Sequence, residues 1–304
     1  MEQSHSLSGP KDKQPAYRAI DAVLRSSLRA LPICTLTECV ALRWGYSFRP
    51  EPRVVKLRSG GKIRVDPTDY LQLIIYYFGT FEPRVLSYLQ RCVGNGGTII
   101  DVGANIGIYT LEGSLAVGRT GRVISIEALP AHIAAFKENI KLNGINNVSL
   151  IESAVGNSTG FVTLIRPRGG NLGSFTVGSV EGEEAYRVPL GRIDDLLKGQ
   201  EINSIDLIKM DIEGSEYRAL LGAAQTLTKY RPTLLIELNE PALLGCESST
   251  REVKEVLRAN GYRGWRIGRK AVQEILDHKV THRCDECLFV HRDNSSLMEK
   301  LHLI

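Results

Sequence analysis

Short apolar runs alternate with stretches of helical periodicity along most of the chain from residue 96 onward. The runs predict β-strands at 98–102, 122–127, 148–153, 204–210 and 233–238. The stretches between them predict helices at 106–117, 130–143, 213–228 and 250–259. Residues 262–266 and 286–291 predict a final antiparallel strand pair. This alternation is typical of an α/β fold in which helices cover both faces of a mostly parallel sheet.

A β-hairpin and a β insertion interrupt this regular pattern. The hairpin is predicted from residues 53–57 and 62–65, and an apolar segment at 70–79 and a helix ending near Cys92 follow it. The insertion covers residues 160–192, with short β-like pieces at 160–165, 174–177 and 186–190 around a glycine-rich loop, 169–173. We expect this insertion to overhang the functional site.

The N-terminal segment has a different character. Residues 1–14 are polar and predict disorder. A helix is expected from Tyr17, with one apolar face made of Ile20, Val23, Leu24, Leu28 and Leu31. The favoured interpretation is that this face packs on the main domain. The alternative is that a basic amphipathic helix lies on an anionic membrane surface.

Charge and cysteine content restrict the possible functions and compartments of the protein only slightly. The net charge is +4, and the basic excess lies in residues 1–66, which is too dilute for a nucleic-acid-binding arm. No run is long enough to span a membrane, and the N-terminus lacks an apolar secretory core, so we expect a cytoplasmic protein. The six scattered cysteines favour reduced thiols, and an isolated Cys284-x-x-Cys287 pair does not favour a metal site.

The most informative stretch is Asp101-Val-Gly-Ala-Asn-Ile-Gly107, which joins the first predicted strand of the sheet to a helix. Such a corner binds nucleotides, and we expect Gly103 and Gly107 to leave room for a ligand against the backbone. A dinucleotide fingerprint would place glycines at 105 and 108, where this chain has Asn105 and Ile108. The pattern therefore argues against a nicotinamide dinucleotide, and with it against an oxidoreductase.

Acidic and small residues follow the next two strands. Glu127 ends the second strand, where a carboxylate can accept hydrogen bonds from both ribose hydroxyls. Ser153 and Ala154 follow the third strand, where small atoms suit an adenine ring. A ligand with an ammonium group and no phosphate, such as S-adenosylmethionine, fits Asp101 and Glu127 better than a dinucleotide does.

A second group of acids follows the fourth and fifth strands. Asp211 and Glu213 come directly after an apolar strand, and Glu237 ends the neighbouring strand. Glu216 lies one helical turn after Glu213 and is expected to face the same way. Ligands of such sheets bind at the carboxyl ends of the strands, so these acids are candidates for chemistry. Glu213 and Glu216 also suit a purely structural role, because acids stabilise helix N-termini.

Taken together, these motifs resemble the FkbM family of S-adenosylmethionine-dependent methyltransferases. The matching segments are 81–83, 100–107, the strand into Glu127, 139–144, 154–156, 171–174, 205–214 and 236–237. The resemblance covers about residues 54–291. It implies a class I methyltransferase (Rossmann-like) sheet of seven strands with the last antiparallel, S-adenosylmethionine as cofactor, and O-methylation of a sugar or natural product. The family pattern Phe-Glu-Pro-Asn is Ile126-Glu-Ala-Leu here, so the acid is kept and its neighbours differ.

The predicted elements and the resemblance together divide the chain into four parts. Residues 1–52 form a tail and helical extension, 53–95 a hairpin and helical lead-in, 96–292 the methyltransferase domain, and 293–304 a tail. The cofactor-binding residues are expected to be Glu82, Asp101, Gly103, Asn105, Gly107, Glu127, Ala128, Ser153, Ala154 and Asp211.

Asp211 is the expected base or orienting group, with Glu213 or Glu237 assisting and Lys209 a weaker candidate. No bound metal is expected, although a divalent cation held by Asp211 and Glu237 is an open alternative. The expected partner is a small-molecule or glycan hydroxyl, with no nucleic acid, because the Asn/Asp-Pro-Pro-aromatic turn of base methyltransferases is missing. An interaction module that kept the fold without turnover is the alternative.

Overall fold

The computed structural model describes residues 15–165, 176–177, 185–268, 271–275 and 284–304. Its strands are β1 (Arg53–Lys56), β2 (Lys62–Val65), β3 (Thr98–Val102), β4 (Arg122–Glu127), β5 (Val148–Glu152), β6 (Ala154–Val155), β7 (Gly160–Ile165), β8 (Thr176–Val177), β9 (Ala185–Gly191), β10 (Leu207–Met210), β11 (Thr233–Asn239), β12 (Tyr262–Ile267), β13 (Val272–Glu274) and β14 (Cys284–His291). Its helices are α1 (Pro15–Ala30), α2 (Thr35–Phe48), α3 (Tyr70–Phe78), α4 (Pro83–Cys92), α5 (Ile108–Val117), α6 (Pro130–Leu142), α7 (Ile193–Leu196), α8 (Glu216–Leu221), α9 (Ala224–Tyr230), α10 (Glu240–Gly245), α11 (Thr250–Ala259) and α12 (Ser295–Lys300).

The central sheet has the strand order β13-β12-β14-β11-β10-β3-β4-β5. Strands β5, β4, β3, β10 and β11 are parallel, and β14 runs antiparallel between β11 and β12. The mostly parallel α/β fold is therefore confirmed, with its antiparallel strand pair at the expected end. The described residues give this sheet eight strands rather than the seven implied by the resemblance, because the short strand β13 extends its β12 edge.

The predicted helix 213–228 is in fact two helices, α8 and α9, which break at Gly222 and Ala223. A Cβ atom on Gly222 would lie 2.0 Å from the carbonyl oxygen of Gly156, so this backbone packs directly on another segment. The buried carboxylate of Asp194 then accepts hydrogen bonds from the N–H groups of Gln225 (3.0 Å) and Thr226 (2.8 Å) in the first turn of α9. Both contacts are distant in sequence, so local periodicity does not reveal the break.

The β insertion forms a small separate sheet of order β6-β9-β7-β8. Strands β7 and β9 confirm the predicted β pieces at 160–165 and 186–190, and β8 falls in the third piece, of which residues 174 and 175 lie outside the described residues. The expectation that the insertion overhangs the site falls on residues 166–175 and 178–184, which lie outside the described residues.

The predicted apolar face of α1 is wrong in its composition. Leu28 is buried as expected, but Ile20, Val23 and Leu31 are 50%, 66% and 45% exposed. The helix instead turns Asp21 inward, where its carboxylate accepts hydrogen bonds from the hydroxyls of Tyr76 and Tyr77 on α3. The two phenolic donors compensate the cost of burying this carboxylate.

Two asparagines connect the hairpin to the central domain. Asn139 of α6 accepts from the Arg64 N–H (2.7 Å) and donates to the Ile106 carbonyl (2.9 Å). Asn143 accepts from and donates to the backbone of Lys62, both at 2.7 Å. The motif 139–144 therefore fixes the hairpin and the turn before α5 relative to each other.

The last residues include α12, and Leu297, Met298 and the following residue Leu301 are buried against the core. Among the helices of the described residues, none has both the length and the apolar character needed to cross a membrane. The domain boundaries given above stay predictions.

Candidate active site

A cavity of about 1200 Å³ opens at the carboxyl ends of β3, β4, β10 and β11. Ten of the predicted site residues line it: Glu82, Gly103, Asn105, Glu127, Ala128, Ser153, Ala154, Asp211, Glu213 and Glu237. Asp101 and Gly107 do not line it. The sheet thus brings together side chains that are up to 155 positions apart in the sequence, as expected where parallel strands end at one edge.

At one end of the cavity, Glu127 is held by the backbone. Its carboxylate accepts hydrogen bonds from the N–H groups of Asn105 (2.7 Å), Ala128 (2.7 Å) and Leu129 (2.9 Å). His132 Nδ1 lies 3.7 Å from Oε1. Burial disfavours the ionised form of Glu127. The N–H donors and His132 outweigh this effect of burial, so the pKa of Glu127 is lowered. We call this region the Glu127 end, and it presents an ionised acceptor before any ligand arrives.

The glycines of the turn make room for the protein itself rather than for a ligand. Gly103 has φ +81°, and a Cβ atom there would lie 1.9 Å from the carbonyl oxygen of Asp211. Gly107 has φ +93°, and a Cβ atom there would lie 3.0 Å from the Phe136 ring. Gly103 therefore lets the turn after β3 approach the turn after β10, whereas the expected reason for a glycine at this position is room for a ligand.

Asp101 lies beneath the turn and is 1% exposed. Its carboxylate accepts a hydrogen bond of 2.5 Å from the Thr110 hydroxyl, which also contacts the Ser125 hydroxyl at 2.7 Å. Burial is the main cause that raises the pKa of Asp101 to about 6. Because the turn covers the Asp101 carboxylate, this geometry does not favour direct contact between Asp101 and a cofactor.

The turn after β10 presents Asp211 and Glu213 to the cavity, but not Glu216. Glu213 adopts φ +50° and Gly214 φ +104°, which turns the chain sharply. Glu216 folds back onto this turn, where Oε1 accepts from the N–H groups of Ile212 (3.0 Å) and Gly214 (3.4 Å). Burial first of all raises the pKa of Glu216 to about 7. Glu216 is therefore a structural residue of the turn, and it does not face the same way as Glu213.

The other end of the cavity contains an acidic cluster, which we define as Glu82, Asp211, Glu237, Glu286 and Lys209. The Lys209 side chain is 1% exposed, and its Nζ lies 3.8 Å from Asp211 Oδ2 and 3.7 Å from Glu286 Oε2. Its ammonium also lies 4.9 Å from the centre of the Tyr109 ring, and the Tyr109 hydroxyl donates a hydrogen bond to Glu82. One buried cation is thus shared by several carboxyl groups.

The pKa values of three of these carboxyl groups are raised. Burial, followed by repulsion from Asp211 and Glu286, raises the pKa of Glu237 to about 10. Burial likewise raises the pKa values of Glu82 and Glu286. No N–H or hydroxyl within the described residues donates to the buried Glu286 oxygens, and the Glu82 carboxyl faces them, so one proton shared between the two acids satisfies both.

Sequence reasoning missed Glu286 and underrated Lys209. Glu286 pairs with Glu237 across β14 and β11, and it is followed by the apolar run Cys287-Leu-Phe-Val290. A glutamate and a lysine within strands that are otherwise apolar were the available signals. The N-terminal extension also contributes, since Ile33, Thr35 and Glu38 line the cavity beside Tyr70.

Within the described part of the chain, no group of His, Cys, Asp or Glu residues has the arrangement needed to hold a metal ion. The gap between Asp211 and Glu286 is already filled by the Lys209 ammonium. Cys284 is no zinc ligand in this arrangement, because its thiol donates to Glu237 Oε1 at 2.6 Å.

Comparison with known proteins assigns the chain to a family. The family described as the methyltransferase FkbM domain matches residues 101–263, which is more than half of the chain. The chain belongs to the FkbM methyltransferase family. This membership confirms the resemblance noted from the motifs and supports S-adenosylmethionine as the cofactor. The turn after β3, Glu127 and the turn after β10 all lie within the matched residues.

Individual relatives match over shorter stretches or at lower identity. A probable cobalt-precorrin-6B C(15)-methyltransferase (decarboxylating) of Sulfurisphaera tokodaii is 35% identical over 71 residues, which are 23% of this chain and 37% of that protein. The corresponding protein of Sulfolobus acidocaldarius is 31% identical over the same shares. The crystal structure of the methyltransferase FkbM from Methylobacillus flagellatus has 20% identity and a TM-score of 0.41, covering 73% of this chain and 53% of that one. The chain thus spans little more than a third of the curated relatives.

The residues present fit S-adenosylmethionine. The ionised Glu127 uses three of the roughly four acceptor positions of a carboxylate, so one remains for a ribose hydroxyl. Small side chains at Ala128, Ser153 and Ala154 line the wall next to it. The acidic cluster has more carboxyl groups than cations, which suits a ligand with ammonium and sulfonium groups.

Proposed function

We propose that the protein is an S-adenosylmethionine-dependent methyltransferase that methylates a hydroxyl group of a sugar or small natural product. The observation that carries this proposal is Asp211. Its side chain is 32% exposed to the cavity, and the fully buried ammonium of Lys209 lies 3.8 Å beneath it. A carboxylate that reaches the cavity is placed to take a proton from a hydroxyl, and the ammonium beneath it helps to hold the side chain in position.

The Glu127 end would hold the nucleoside of the cofactor. Glu127 would accept a hydrogen bond from one ribose hydroxyl, and Ala128, Ser153 and Ala154 would contact the base. The turn containing Gly103 and Asn105 would support the methionine part, with Glu82 near its ammonium group. When bound, S-adenosylmethionine supplies a methyl group that an oxygen nucleophile can displace from sulfur.

Asp211 would act on the acceptor. It orients the hydroxyl group and takes its proton as the oxygen forms its bond to carbon, while the electrons of the carbon–sulfur bond stay on sulfur. Glu237 and Glu213 line the same wall and would position the acceptor. Because an uncharged hydroxyl is a weak nucleophile, alignment and proton removal together supply most of the acceleration.

The lining of the cavity supports a polyhydroxylated acceptor. Carboxyl groups of Glu82, Glu237 and Glu286 offer many hydrogen-bond acceptors, which hydroxyl groups match. On the wall made by the N-terminal extension, the Tyr70 hydroxyl donates to Glu38. None of the six cysteines, which all lie among the described residues, forms a disulfide bond, and this supports a reducing compartment such as the cytoplasm.

The test is transfer of a labelled methyl group from S-adenosylmethionine to fractions of a cell extract, followed by identification of the product. The proposal expects an O-methyl ether that forms with the unchanged protein and not with Asp211→Asn. A product methylated on carbon or nitrogen would contradict the O-methylation. Cofactor binding without transfer to any fraction would favour the interaction module instead.

A further inference from the structure

Lys209 is a buried cation without a hydrogen-bond partner among the described residues. Its side chain is 1% exposed, and the nearest carboxylate oxygens lie 3.7 and 3.8 Å from Nζ, just beyond hydrogen-bonding distance. Burying an ammonium group is costly unless opposite charges compensate it. The Lys209 side chain therefore has a function that an apolar side chain at the same position would not provide.

The groups around this ammonium come from every element that packs against it. They are Glu82 before α4, Asp101 on β3, Tyr109 on α5, Asp211 after β10, Glu237 on β11 and Glu286 on β14. The proton shared by Glu82 and Glu286 leaves one negative charge on that pair, and Glu237 keeps its proton at neutral pH. Among the residues that the structure describes, Lys209 is thus the one cation paired with both Asp211 and Glu286.

Removal of this cation would change the charge state of its neighbours. Asp211 and Glu286 would then face each other's charge and that of Glu82 without compensation, and protonation would be the cheapest relief. A protonated Asp211 cannot take a proton from an acceptor hydroxyl. The chemistry assigned to Asp211 therefore depends on a residue that does not itself line the cavity.

We propose that Lys209 is a positioning residue for methyl transfer: its buried ammonium holds the carboxylates of Asp211 and Glu286 in place and compensates their charge, so that Asp211 is ready to accept a proton. The catalytic part of this proposal rests on the proposed methyltransferase function. The charge compensation itself can be tested on the protein without cofactor or acceptor.

The first experiment measures the melting temperature of the ligand-free full chain from pH 6 to pH 9. The variants are Lys209→Met, Lys209→Arg and, as a control, Lys198→Met, whose side chain is 71% exposed. In Lys209→Met the folded state should bind additional protons that the unfolded chain releases. Its melting temperature should therefore fall by about 5 °C more over this range than that of the unchanged protein. Lys209→Arg and Lys198→Met should keep the original slope.

A purely structural lysine would give a different result. Lys209→Met would then lower the melting temperature equally at every pH, and this outcome would overturn the proposal. If Lys209→Met does not fold, the double variant Lys209→Met with Glu286→Gln decides, because it removes one charge of each sign. The proposal expects that this double variant recovers folded protein, and failure to do so would count against the proposal.

The second experiment adds S-adenosylmethionine to the same variants and follows binding by calorimetry. If the unchanged protein does not bind the cofactor, the proposed function fails, while the pH profiles still decide the role of Lys209. Once an acceptor is identified, Lys209→Met should lower kcat more than KM and move the acidic limb of the pH–kcat profile upward by about one pH unit or more. An unmoved limb would remove Lys209 from the mechanism.

Discussion

Glu127 ends β4 and Glu237 lies two residues before the end of β11, and both line the same cavity, yet their surroundings are opposite. Glu127 has three backbone N–H donors and a lowered pKa. Glu237 accepts from one thiol, faces other carboxyl groups, and has a pKa raised to about 10. The Glu127 end is thus prepared by its backbone, whereas the charge of the acidic cluster depends on what binds there.

This difference separates recognition from chemistry. Backbone donors cannot be removed by a side-chain change elsewhere, so the Glu127 end binds its ligand in one charge state. In the acidic cluster, a bound cation would lower the pKa values of Glu82 and Glu286 and release protons. Substitutions at the Glu127 end and substitutions in the acidic cluster should therefore affect different properties of the protein, and not merely the same property to different extents.

The largest effect is expected from Asp211→Asn. The amide cannot accept a proton, so methyl transfer should fall about a hundredfold or more, while affinity for S-adenosylmethionine changes little. Label transfer and calorimetry measure the two quantities separately. Glu213→Gln is the comparison, because Glu213 lines the same wall and should lose less activity. Full activity of Asp211→Asn would assign the base to another group of the acidic cluster.

At the Glu127 end, Glu127→Gln should weaken the binding of S-adenosylmethionine about 10- to 100-fold, because a charged acceptor is lost and an amide NH₂ faces the backbone donors. The affinity for S-adenosylhomocysteine should fall by a similar factor, because binding at the Glu127 end does not depend on the charge of the sulfur atom. Glu152→Gln is a matched control: Glu152 pairs with Glu127 on the next strand but binds the exposed Lys137. Unequal losses for the two ligands would contradict the separation of the two ends.

Glu237→Gln should change the pH dependence of stability rather than its level at acidic pH. The folded pKa of Glu237, about 10, lies above the ordinary value of 4.5. The unfolded chain therefore loses this proton first, and stability falls as the pH rises from about 4.5 toward 10. Glutamine removes this loss, so the melting temperature should decline less steeply. The exposed Glu274→Gln is the control, and an unchanged slope in Glu237→Gln would mean that Glu237 is ionised when folded.

The fold was predictable wherever structure is decided locally. The strands at 98–102 and 122–127 have the predicted bounds, because an apolar run ends there at turn residues on both sides. Contacts distant in sequence decided the exceptions. Gly222 packs on Gly156 and breaks a helix, and Asp21 is drawn inward by two tyrosines of another helix.

The same limit applies to the site. Glu127 and Asp211 were found because each ends an apolar strand, a position that places a side chain at the sheet edge in any such fold. Glu286 depends on the pairing of β14 with β11, which no local pattern contains. Asp101 also ends a strand run within a family motif, but Val102 and the turn follow it, and its carboxylate points beneath that turn.

The smallest effect on binding is expected from Asp101→Asn. Since the carboxylate is covered and bonded to Thr110, affinity for S-adenosylmethionine should change by about threefold or less, whereas loss of a direct charged contact would cost tenfold or more. The pKa of Asp101, about 6, lies above the ordinary value of 3.8, so stability should rise as the pH falls from about 6 toward 4, and asparagine should remove this contribution. Calorimetry and melting curves over this range measure both effects. A tenfold loss of affinity with an unchanged stability profile would place Asp101 in contact with the cofactor, as its position in the motif first indicated.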